Sequence, residues 1–134
     1  MAPVANDPIV AEANHLAGLF AECSQAVDDY RLSVVPAPSR EDMARLKDEA
    51  QALDDRAHYF TAEAIGATLA AIQPDLDRIK IVTGQAVEQL HHLNSVAEGI
   101  QLATSVLSLG VAIAAGDPAT IAAATVALAK LLAA

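Results

Sequence analysis

Apolar side chains recur through most of this chain at alternating intervals of three and four, the spacing that lines one face of an α-helix. The first stripe is Ile9, Ala13, Leu16, Phe20, Cys23, Val27, Tyr30 and Val34. Asn6-Asp7-Pro8 opens it with a capping residue and a proline in the first turn, and Pro36-Ala37-Pro38 closes it, so a helix is predicted over 8–35. Ser39-Arg40-Glu41-Asp42 then begins a second helix in the manner of a capping box, with two carboxylates in the first turn. Its stripe is Met43, Leu46, Ala50, Leu53, Ala57, Phe60, Ala64, Ala67 and Ala71, predicting a helix over 40–72.

Gln73-Pro74-Asp75 reads as a turn, because the residue before a proline avoids the α region. A third stripe follows without a slip: Leu76, Ile79, Thr83, Ala86, Leu90, Leu93, Ala97, Ile100, Thr104, Leu107, Val111 and Ala114. That predicts one helix over 74–115, about 60 Å long at 1.5 Å per residue. Gly116-Asp117-Pro118 separates it from a short apolar helix over 118–133. Folding back at Pro74 would set Phe60 against Ala86, Ala57 near Leu90 and Leu53 against Leu93, large against small, as close antiparallel packing favours. The expected fold is all-α: a single domain over residues 1–134, built as an elongated antiparallel bundle of three helices at one end and four at the other. No solenoid repeat or low-complexity linker interrupts it.

Composition sharpens this picture. Of the 134 residues 54% are hydrophobic but only 3% aromatic, with no Trp, so the core is built from Ala, Leu, Val and Ile in closely packed helices. The apolar content gathers late in the chain, where from Gly99 to Ala134 only Asp117 and Lys130 are charged. Val96, Leu102, Ala103, Val106, Leu109 and Ile113 add to the stripe there, making the helix apolar on most sides. Such a helix is central, oligomeric or lipid-facing. The net charge of -9 opposes phosphate backbones and anionic headgroups, and no basic cluster offsets it, so nucleic acid is not an expected partner. Met1 to Asn14 carries neither a secretory signal pattern nor an Arg-rich amphipathic one. Cytoplasmic residence is the expectation, and signal-independent export would leave no mark of this kind.

Candidate chemistry is sparse. Glu12-Ala13-Asn14-His15 and Glu88-Gln89-Leu90-His91 each match the Glu-x-x-His unit of carboxylate-bridged metal sites in bundles. The stripes turn Ala13, Leu16, Ala86, Leu90 and Leu93 inward, which sends both pairs toward water. Only Glu63 lies near a seam elsewhere, so no metal ligand is assigned. His58, His91 and His92 read as histidines covering the edge of the seam between the second and third helices, where a pH-sensitive contact could form. Cys23 lies on the first apolar stripe and reads as a core thiol rather than a nucleophile. No phosphate loop or nucleophile elbow occurs, and neither a catalytic residue nor a cofactor is expected.

What remains is surface. Ala62, Gly66 and Ala70 form a small-residue ridge off the heptad seam, flanked by Ile65 and Leu69, and together with Leu102, Val106, Leu109 and Ile113 they are the expected interface with a second copy or a partner. The leading expectation is a non-enzymatic helical module for protein–protein interaction or self-assembly. The alternative is a membrane-active protein that inserts residues 99–134 as a hairpin, a plan that looks like that of α-helical pore-forming proteins in architecture but in no sequence motif. A span needs about 20 residues, and 100–115 and 119–134 each offer fewer, which favours burial in protein.

Overall fold

A computed structural model of the chain describes residues 8–133. Six helices occur among the described residues, with no strand: α1 (Pro8–Ser33), α2 (Arg40–Tyr59), α3 (Ala62–Ala71), α4 (Gln73–Leu90), α5 (Val96–Ala115) and α6 (Pro118–Ala133). The all-α class therefore stands, while two of the four expected helices are each divided. Asn6 and Asp7, read as the cap of the first helix, lie outside the described residues.

The expected helix over 40–72 breaks at Phe60 and Thr61. Thr61 is extended (φ -112°, ψ 160°), and its hydroxyl accepts a hydrogen bond from the Ala64 amide at 3.2 Å, so it starts a new helix rather than continuing the old one. Chain direction changes again at Ile72, the single residue between α3 and α4, with Pro74 in the first turn of α4 where its missing N–H costs nothing. The expected helix over 74–115 breaks at residues 91–95. Ser95 caps α5 by accepting from the Glu98 amide at 3.1 Å, and the Glu98 carboxylate reaches back to the Asn94 amide at 3.2 Å. The 60 Å helix is thus replaced by two, of 18 and 20 residues. Gly116 ends α5 at φ +81°, a backbone conformation suited to glycine, and the Asp117 carboxylate starts α6 by accepting from the Ala119 amide and the Thr120 hydroxyl.

Each break lets the following helix rotate, and the buried face changes accordingly. In α3 the stripe residues Ala64, Ala67 and Ala71 are exposed, whereas Ile65 and Leu69 are buried, along with Ile72. In α5, Ala97, Thr104 and Val111 face out while Leu102, Val106, Leu109 and Ile113 are buried. Burial of a Leu or Ile stabilises by about 1.5–3 kcal/mol, well beyond what an Ala contributes, so a freed segment turns its large side chains inward.

The packing closes on itself: α1 lies against α2 and α4, α2 against α5, and α6 against both α5 and α4, while α3 contacts α1 and α5. Neighbouring side chains fix the directions. Ser24 on α1 donates to the Ala50 carbonyl on α2 at 2.6 Å, Lys80 on α4 meets Glu12 on α1, and Thr104 on α5 donates to Glu49 on α2. Hence α1, α4 and α6 run one way, and α2 and α5 the other. The expected pairing of the second helix with the first half of the third is replaced, because α2 packs chiefly on α1 and α5. Phe60 accordingly meets Phe20, not Ala86, edge to face at 4.9 Å. Leu53, Phe60 and Leu90 are buried, and Leu93 is half-buried.

Candidate functional site

The nine residues expected at an interface divide sharply. Ile65, Leu69, Leu102, Val106, Leu109 and Ile113 are at most 1% exposed and belong to the chain's own core. Ala62 and Gly66 are half-buried, Gly66 against Ile9 of α1, and Ala70 is exposed. Of these nine, only the small residues of the α3 ridge keep exposed surface. The large apolar ones are satisfied by α1, α2 and α6.

Outside that set, the α5–α6 hairpin presents a surface of another kind. The exposed positions of α5 are Ala97, Gln101, Thr104, Ser108, Val111 and Ala115, and those of α6 include Ala119, Ala122, Ala123, Val126, Ala127 and Lys130. Val111 and Val126 keep 52% and 43% of their surface open, high for β-branched apolar residues. No charge interrupts this surface between Asp117 and Lys130. A narrow cleft of about 120 Å³ runs beside it between α4 and α6, floored by Ile72, Ile79, Ile121 and Thr125, with Asp75 and Arg78 at its mouth. It is smaller than the 300–1,000 Å³ usual for small-molecule sites and is the size of a side chain or two.

The polar groups serve the fold. Glu12 does not face water as its heptad position suggested: the Lys80 ammonium contacts its two carboxylate oxygens at 3.1 and 2.8 Å, joining α1 to α4, with Asp77 at 3.5 Å on the other side. The hydrogen bond it donates to Glu12 holds the Lys80 ammonium above its ordinary range, against the opposing effect of burial. His15, Glu88 and His91 are exposed, so neither Glu-x-x-His pair converges on the other. Among the described residues no group of three or more His, Cys, Asp or Glu is placed to hold a metal ion.

His58 ends α2 near the Phe20–Phe60 contact, while His91 and His92 end α4 at the far end of the bundle, so the three histidines do not meet. His58 and His92 instead bond the backbone carbonyls of Asp54 and Glu88, each one turn back. Cys23 is fully buried, and burial, reinforced by the Glu22 carboxylate, pushes its thiol up to about 12. Such a thiol is inert at neutral pH. Glu49, which heptad reasoning passed over, accepts from Thr104 at 2.6 Å across the α2–α5 seam. No spacing rule signals a contact of that sort, since it depends on the break at 91–95.

Among the described residues one helix is long and apolar enough to cross a membrane by length and composition. It is α5, whose 20 residues have a mean hydropathy of 1.6 in the best window, half of that window buried in the fold. The start at Val96 gives it about 30 Å, more than residues 100–115 alone would provide. Comparison with known proteins finds no matching family model, no matching curated protein and no matching solved structure.

Proposed function

We propose that the protein is a non-enzymatic helical module that works by protein–protein association. The observation that carries this reading is the uncharged outer surface of α5 and α6, with Val111 and Val126 open to solvent, on a chain whose net charge is -9. A contiguous weakly polar surface marks an interaction site, and this one carries no charge between Asp117 and Lys130. The bundle of closely packed Ala-rich helices acts as the scaffold for that face, with the Glu12–Lys80 ion pair and the Ser24 and Thr104 hydroxyl bonds tying α1, α2, α4 and α5 together.

A membrane-active reading is favoured by one observation, the length and apolarity of α5. Against it stands the cost of extraction: Leu102, Val106, Leu109 and Ile113 would have to leave partners that already keep them dry. Light scattering with and without neutral and anionic vesicles separates the two. Association predicts a discrete mass that vesicles leave unchanged and no release of an entrapped dye. Dye release that an aspartate at Val106 or Ile113 abolishes, with helicity retained, would replace association with membrane insertion.

A further inference from the structure

We infer that the face on α6 is the contact between two copies of this chain, set antiparallel about a two-fold axis. The inference rests on the association reading and names its partner. Three features of the molecule converge on a second copy.

The first is the charge map. Asp117 and Lys130 are the only charges beyond Gly99, and they cancel, so the whole net charge of -9 lies on the rest of the chain. Two copies approaching through α1, α2 or α4 would bring like charge against like charge. Through α6 they meet on a neutral surface.

The second is the placement of those two charges. They sit at opposite ends of α6, 13 positions or about 20 Å apart along the axis. An antiparallel copy centred midway between them puts Asp117 of each chain opposite Lys130 of its partner, making two ion pairs related by the two-fold. A parallel copy would put lysine against lysine. Lys130 is exposed and makes no ion pair among the described residues, and the Asp117 carboxylate, though capping α6, is exposed as well.

The third is shape. Between the charges the outward positions are Ala122, Ala123, Val126 and Ala127, which let helix axes approach closely, and the same rotation brings Ala123 of each chain next to Ala123 of its partner. It also lays α5 on α5, covering Val111. The hairpin face is about 25 Å by 20 Å, so a dimer buries about 1,000 Å² in all, at the lower bound for a specific contact. A reversible dimer is the consequence, not an obligate one.

Sedimentation equilibrium on the full chain tests this. The wild type should show a reversible monomer–dimer equilibrium, and Ala123→Glu, an exposed position, should leave a helical monomer. Lys130→Glu turns both pairs into repulsions and should raise the dissociation constant about tenfold. Adding Asp117→Ser to Lys130→Glu removes the repulsion while keeping a good helix cap, and should bring the constant back to within about threefold of wild type. A wild-type monomer at every concentration overturns the dimer, as does a dimer indifferent to Ala123→Glu, which would use another face. Equal weakening by Lys130→Glu and by the double variant would overturn the antiparallel arrangement. Vesicle binding that Ala123→Glu abolishes would assign the face to lipid instead. A monomer that releases no dye defeats only the second copy, whereas dye release defeats the association reading itself.

Discussion

Gly110 lies where α5 crosses α1 and α2, and adding one methyl group there measures how tightly the three helices meet. A Cβ on Gly110 would stand 2.6 Å from Cε2 of Phe20 and 3.3 Å from Cγ of Arg56. The Arg56 stem can bend aside. The Phe20 ring cannot, because it is fully buried with its neighbour Phe60 held edge-on at 4.9 Å. Overpacking of this kind costs about 1–3 kcal/mol. Alanine in place of glycine inside a helix returns about 1 kcal/mol, leaving Gly110→Ala between neutral and destabilised by about 2 kcal/mol. Gly84→Ala and Gly18→Ala provide the controls, since neither new Cβ would have a heavy atom within 4 Å. Each should stabilise by about 0.5–1 kcal/mol. Urea unfolding followed by circular dichroism reads all three as shifts in midpoint at constant slope. If Gly110→Ala raises the midpoint as much as Gly84→Ala does, α5 does not pass over Phe20 and the helix pairing described above is wrong.

Four further outcomes follow from the buried polar groups and caps. Cys23 should resist a disulfide reagent in the native protein and react fully in denaturant; rapid native labelling would place it outside the core. A double-mutant cycle of Glu12→Gln and Lys80→Met should give a coupling of about 1 kcal/mol at neutral pH, and a value near zero would mean the pair is solvated. Because the Lys80 ammonium and the Tyr30 phenol are both raised in the fold, Tyr30 chiefly by burial and then by Glu98, their contribution is complete at neutral pH. It fades as pH climbs through and above 10–10.5, so stability should decline there and lose part of that decline in Lys80→Met. Ser95→Ala should cost about 1 kcal/mol by uncapping α5, and no loss would argue for a continuous helix through residues 91–95.

The helix starts at Arg40 and Pro118 and the end near Pro36 were legible because local chemistry fixes them: a serine cap, a glycine-aspartate-proline turn and a pair of prolines. The breaks at Phe60–Thr61 and at 91–95 were not, since the three-four spacing runs through both without a slip. Their signals were present in the sequence all the same. Ser95-Val96-Ala97-Glu98 is a capping box, and Thr61 precedes Glu63 and a helical run, but an unbroken stripe outweighed both. Once the chain breaks, register no longer carries over, which is why Ile65 and Leu69 displace Ala64 and Ala67 from the core and Val111 turns outward. The candidate site suffered most from this. Leu102, Val106, Leu109 and Ile113 are surplus apolar surface only if α5 is the far half of a 60 Å rod. Folded back between α2 and α6, they fill the core, and the residues left outside are the small and uncharged ones that periodicity does not single out. The Glu12–Lys80 and Glu49–Thr104 contacts join residues 68 and 55 positions apart, beyond the reach of any local rule.

On the proposed function the α5–α6 hairpin is a fixed part of the bundle, and its outer face, not its buried one, meets a partner. Native-state hydrogen exchange on the α5 amides tests it most directly, with and without vesicles present. Amides from Leu102 to Ile113 should exchange only through global unfolding, with protection matching the unfolding free energy and unaffected by lipid. Exchange through a lower-energy opening that frees α5 and α6 together, made faster by vesicles, would contradict the account.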